Sequence, residues 1–166
     1  MNTLWAYAWP LLGEGMLIGA VTGLIAFRRG RKRSRILAAG VALVLALAAL
    51  WHGPLGAAQR LTTTVERDAK ATLVYYEMTK VSAHLHRGPL TRHLVLSGPA
   101  DDFQHTELVR TMDTLPGVAS SGWTDEAGWP PLIVEAGAAA LLGFLFGLLL
   151  AYLVELHRRY NAQWNW

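Results

Sequence analysis

Residues 132–154 read LIVEAGAAALLGFLFGLLLAYLV, twenty-three residues with a single acid, Glu135, near their start. A hydrocarbon core about 30 Å thick is crossed by roughly 20 helical residues, so this stretch predicts a transmembrane helix. Two more apolar runs lie upstream, Leu11 to Phe27 and Ile36 to Trp51. The second has no charge between Arg35 and His52, and the first reaches spanning length when Leu4 to Pro10 join it, Pro10 being tolerated near a helix end or as a kink. Three helices this apolar cannot be covered by what remains of a 166-residue chain, which argues against a soluble core. The expected fold is therefore an α-helical membrane protein with three transmembrane helices and a small α/β extramembrane domain inserted between the second and third. The expected bounds are helices at about 4–27 and 36–52 joined by a basic loop at 28–35, the inserted domain at 53–130, the third helix at 131–157 and a tail at 158–166.

Arg28, Arg29, Arg31, Lys32, Arg33 and Arg35 place six of the fifteen Lys and Arg residues within eight positions. Short loops rich in Lys and Arg stay cytoplasmic. The N-terminus and the inserted domain should accordingly lie outside, while Arg158 and Arg159, after the third helix, fall on the inside as the same rule requires. A cleaved signal peptide fits poorly, because its positive region precedes the apolar run and here the basic cluster follows it. Such clusters also bind anionic lipid or nucleic acid. The inserted segment Gly53 to Pro131 has seven basic and nine acidic residues, however, so the net charge of +3 comes from the inner side and nucleic acid is not implied as a partner. Tryptophans agree with this layout: Trp5, Trp9, Trp51 and Trp129 mark one interface, and Tyr160, Trp164 and Trp166 the other. With no cysteine there is no disulfide framework and no thiol chemistry.

Within the inserted segment, Leu61, Val65, Ala69, Leu73, Tyr76, Val81 and Leu85 recur at intervals of three to five, predicting one long helix stopped by Gly88 and Pro89. Thr91 to Ser97 reads as a strand. Gly98-Pro99-Ala100 turns the chain into Asp101, which with Gln104 forms a capping-box pattern for a second helix that buries Phe103, Leu108, Val109, Met112 and Leu115. Pro116-Gly117 ends that helix, and Val118 to Trp123 reads as a second strand beside the first.

Leu94-Val95-Leu96-Ser97-Gly98, the capped helix after it and Leu115-Pro116-Gly117-Val118 leading into the last strand resemble the BON domain, a small α/β module of bacterial envelope proteins associated with phospholipid membranes. The resemblance covers Thr62 to Thr124. It departs from the family in lacking a distinct strand before Leu94 and in a closing strand rich in Ser and Gly. It implies a periplasmic docking module near a membrane surface, with no catalytic residues to carry over, on a protein of the bacterial inner membrane. The alternative is an unrelated small α/β plug between two helices.

Gly15, Gly19 and Gly23 stand four apart on one face of the first helix, and Ala139, Gly143, Gly147 and Ala151 repeat the device in the third. Small residues at this spacing let helix backbones approach closely. The two helices should run parallel, and can pack on each other or on another protein. Glu14 and Glu135 are acids inside apolar runs, where an uncompensated carboxylate costs about 2.5 to 3.5 kcal/mol at a helix centre. Each should face protein or water, and their similar depth after Trp9 and Trp129 allows a pair. Glu155 should form a surface pair with Arg159 at i+4.

His84 and His86, two apart on the predicted helix, would not share a face, and His93 and His105 lie on other elements, so no metal site is expected. No cofactor is implied. Ser97 lacks the preceding glycine of a hydrolase elbow, and no phosphate loop or dinucleotide fingerprint occurs. The expected function is a non-catalytic accessory or structural subunit of an inner-membrane complex. It would dock through its small-residue helix faces and its periplasmic module onto integral membrane partners or a second copy. The competing expectation is a small transport or proton-coupling component that uses Glu14 and Glu135.

Overall fold

The computed structural model describes residues 3–28, 32–125 and 130–162. Arg29 and Arg31 of the basic cluster, and Trp129, Trp164 and Trp166 of the aromatic belts, lie outside the described residues. The elements run α1 (Thr3–Arg28), α2 (Arg33–His52), α3 (Ala57–Tyr75), β1 (Ser82–Arg87), β2 (Leu90–Ser97), α4 (Asp102–Met112), β3 (Ser120–Gly122) and α5 (Leu132–Ala162). They form two compact units. One holds residues 1–7 and 55–135, the other 8–54 and 136–166.

In the helical unit, α1, α2 and α5 are each long and apolar enough to cross a membrane. Their glycines are where backbones meet. A Cβ added at Gly15 would fall on the Ala140 carbonyl, one at Gly19 on Phe144, and one at Gly23 would lie 2.6 Å from the Ala151 Cβ. From the other side, Gly143 faces Leu12, and Gly147 faces Met16 and Ala20. Residue numbers rise together along both helices, so α1 and α5 run parallel and pack on each other. Ala139 is half-buried, and its neighbours Ala136 and Ala140 are the fully buried members of that turn. α2 runs the opposite way and buries a narrow stripe of Gly40, Val44 and Ala48, with Gly40 against Thr22 and Phe144. Large apolar side chains such as Leu17, Val21, Leu142, Leu145 and Phe146 are more than half exposed on the outer faces, a surface that water-soluble monomers rarely present.

The α/β unit is built on a three-stranded sheet in the order β1-β2-β3. β1 pairs antiparallel with β2, Leu85 facing Leu94, and β2 pairs parallel with β3, His93 facing Ser120. A parallel neighbour needs a crossover, and α4 provides it. Its N-cap is a complete capping box: the Asp101 carboxylate accepts from the Gln104 backbone N–H at 2.7 Å, and the Gln104 side chain accepts from the Asp101 N–H at 3.0 Å. The core gathers Leu61, Val65, Ala69 and Leu73 from α3, Leu85, Leu94 and Leu96 from the strands, and Leu108 and Met112 from α4.

Three expectations are corrected. The helix predicted through Leu85 stops at Tyr75, and Ser82–Arg87 is a strand. The stop is a Schellman closure: the Met78 N–H bonds the Leu73 carbonyl, the Glu77 N–H bonds that of Val74, and Glu77 takes the left-handed φ of 60°. Glycine normally holds this position, so a Glu there hid the helix end, and Gly88-Pro89 forms the β1–β2 turn instead. Tyr76, placed on the buried stripe by its spacing, is consequently exposed. Phe103, expected inside, is 74% exposed, because it sits in the first turn of α4, beyond the part that faces the sheet through Leu108 and Met112. The strand missing before Leu94 is supplied by β1.

Two glycines are required by geometry. Gly98, with φ of 134°, passes 2.5 Å (from a would-be Cβ) from the Lys80 carbonyl, and Gly117, with φ of 99°, lets the turn after α4 press on Val65. Overpacking the helical seam should be the more damaging change. Gly19→Leu drives a side chain into the Phe144 backbone and is expected to lower stability by about 1–3 kcal/mol. Gly13→Leu, on the same helix with nothing within 4 Å of its Cβ position, should leave the thermal midpoint in detergent unchanged.

Candidate functional site

The acids of the apolar stretches find different surroundings. Glu135 lies in the first turn of α5, where a carboxylate also complements the helix dipole. It belongs to the α/β unit. Its Oε2 accepts from Arg92 Nε of β2 at 2.7 Å, with both side chains less than a quarter exposed. The buried Tyr7, from the start of α1, stands within electrostatic range of the same carboxylate. Glu135 is thus engaged by a cation from the sheet rather than by a second carboxylate. Glu14 belongs to the helical unit, and its Oε1 is the buried side-chain oxygen left without a hydrogen-bond partner among the described residues.

Glu155, expected on the surface, is only 7% exposed. It stands four residues beyond Ala151, so it continues the stripe of Gly143, Gly147 and Ala151 that faces α1; that spacing was the available signal. Its Oε1 accepts from Arg159 at 3.2 Å and from Arg158 at 3.3 Å. The remaining cluster residues with described positions, Arg28, Lys32, Arg33 and Arg35, are exposed around the ends of α1 and α2.

On β1 the register shifts between Leu85 and Arg87, so His84 and His86 do not follow simple strand alternation, and His86 is buried beside Leu85. They do not act together. His84 is exposed, while His86 donates from Nδ1 to the Pro89 carbonyl at 2.9 Å and has Asp125 at 3.6 Å from Nε2. His93 is buried between strands: Nε2 donates to the Thr124 carbonyl at 3.2 Å, which leaves Nδ1 to accept the Ser120 hydroxyl at 2.8 Å. His105 stacks on Trp123 with ring centroids 4.0 Å apart, and the indole N–H donates to the His105 carbonyl. These contacts close β3 and α4 onto the sheet. Ser120 donates its proton to His93, whose other ring nitrogen bonds the Thr124 carbonyl, so this side-chain chain ties β3 to β2.

The α/β unit also carries an exposed aromatic surface. Tyr75 and Tyr76, edge to face at 5.2 Å, leave the end of α3 beside the exposed Phe103. A cleft of about 320 Å³ lies between Tyr76 and Phe103, lined also by Met78, Gln104, Glu107 and Thr111. Sequence spacing assigned Tyr76 and Phe103 to the core, which concealed this surface.

Among the described residues the Arg92–Glu135 pair is the shortest ion pair of the α/β unit, and its removal from one side leaves a poorly hydrated charge. Arg92→Ala should cost about 2 kcal/mol. The Arg92→Gln/Glu135→Gln double variant should cost less than the sum of its singles in a chemical-unfolding cycle. Compared with known proteins, the chain matches no family model, no curated protein and no solved structure.

Proposed function

We propose that this chain is a non-catalytic accessory subunit of a bacterial inner-membrane complex, anchored by α1, α2 and α5 and presenting its α/β module, BON-like in pattern, to the periplasm. The observation that carries the reading is the exposed cleft lined by Tyr76 and Phe103, with the exposed Tyr75 ring edge to face against Tyr76. Tyr and Phe are enriched where proteins bind one another, and two of them lining one cleft with a third beside Tyr76 form a compact anchor site. The glycine faces of α1 and α5 are spent on each other, so contact with an integral membrane partner falls to the cleft and to the outer helix faces. The basic residues between α1 and α2 support an inside location for that loop.

The competing transport reading is favoured by one observation, the unpartnered buried oxygen of Glu14. It is weakened by Glu135, whose charge Arg92 already balances. If Glu14→Gln preserves assembly and abolishes a proton flux, transport replaces the accessory role.

Two experiments test the main reading. Extracted in mild detergent, the chain is expected to retain a second protein at fixed stoichiometry, and Tyr76→Ser/Phe103→Ser should release it while leaving the module folded, both side chains being outside the core; recovery of a bare monomer would sink the proposal. Because the chain has no cysteine, single cysteines report topology cleanly. Lys80→Cys should react with an impermeant maleimide added to the periplasmic face and Lys32→Cys should not; the reverse pattern inverts the orientation.

A further inference from the structure

The basic end of the helical unit contains a cavity of about 340 Å³, lined by Ala26 and Phe27 of α1, Arg33 of α2, and Tyr152, Glu155, Leu156 and Arg159 of α5. Its charge is lopsided. The Arg33 guanidinium carbon lies over the Phe27 ring, 4.9 Å from its centroid, Arg159 and Arg158 hold the buried Glu155 carboxylate, and Arg28 lies within electrostatic range of that carboxylate. Three guanidinium groups thus surround one acid, and a fourth, that of Arg33, lines the same cavity. Glu155 neutralises one charge and, by bonding two of the arginines, keeps them at the rim; the excess remains positive.

The cavity walls are amphiphilic. Leu156 and Tyr152 line it and are about half exposed, and they continue into the exposed apolar faces of α5 at Leu149 and Leu153 and of α1 at Val21 and Ile25. A soluble anion would use the cations alone. A ligand with a phosphate head and long apolar chains uses both surfaces, and basic pockets between membrane helices on the inner side bind such head groups. We propose that this cavity holds the phosphate of an anionic phospholipid, with its acyl chains lying along the outer faces of α1 and α5. The inference rests on the proposed membrane anchoring of the three helices, and gives the basic residues a second use beyond setting orientation.

The test uses the full chain reconstituted in bilayers of equal parts phosphatidylcholine and phosphatidylglycerol, with the lipids it retains on re-extraction identified by native mass spectrometry. Phosphatidylglycerol is expected to be enriched over phosphatidylcholine. Each arginine near an anionic surface is worth about 1 kcal/mol, so Arg33→Gln and Arg159→Gln should each reduce the enrichment about fivefold. Arg33→Lys, which keeps the charge, should preserve most of it and so separates lost binding from lost folding. Lys32→Gln is the control for general surface charge, since Lys32 does not line the cavity. Equal losses from Lys32→Gln and Arg33→Gln, no preference between the two lipids, or displacement of the lipid by millimolar inorganic phosphate would each overturn the assignment while leaving the membrane reading intact. Failure of the chain to enter bilayers at all would overturn both.

Discussion

Backbone contact between α1 and α5 is the constraint on which the helical unit depends. Where three glycines of one helix meet two glycines and two alanines of the other, the helices come close enough for carbonyls and Cα atoms to touch. In the membrane setting proposed above, apolar helices would gain nothing from hiding from water, and close contact of this kind would hold them. The seam also explains why α2 needs only Gly40, Val44 and Ala48: it lies on a pair already joined, and the rest of its surface stays open. Continued one more turn, the same register carries Glu155 to the buried face, where an acid survives because two arginines are within reach.

The α/β unit is held by a different economy. Its sheet is narrow, with β3 only three residues long, and side chains supply what a longer ladder would. His93 bonds across to Ser120 and Thr124, Ser121 bonds to Asp113 and the Val109 carbonyl, and Trp123 closes on His105. Glu66 of α3 accepts both the Leu85 N–H and the Arg87 guanidinium, fastening the long helix to the first strand. These contacts occupy His93, His105, Ser120 and Ser121, while the rings of Tyr75, Tyr76 and Phe103 stay exposed on the same unit.

Hydropathy and spacing made the three long helices, the capped α4, the strand at Leu90–Ser97 and the short strand after Pro116-Gly117 legible, because each follows from a local pattern that tertiary contacts do not override. The end of α3 was illegible for an equally local reason: a helix stop that usually shows a glycine shows Glu77. From that one substitution followed the missed strand β1, the misplacement of His84 and His86 on a helix, and the assignment of Tyr76 to the core. Arg92 as the partner of Glu135 could not be read at all, since nothing in the sequence joins residues 43 positions apart on different elements. Glu155 could have been, by carrying the Gly143–Gly147–Ala151 interval one step further.

The α/β unit takes in Thr3–Tyr7 and Leu132–Glu135, so its polypeptide boundaries differ from the hydropathy boundaries. A fragment excised at the apolar limits, 53–130, would keep Arg92 and lose its carboxylate, along with the opening turn of α5. During biosynthesis the same fact sets an order of events. Strands and α4 can pair as soon as they emerge, yet Arg92 waits for residue 135, and the unit reaches its final form only when the last long helix has begun to leave the ribosome.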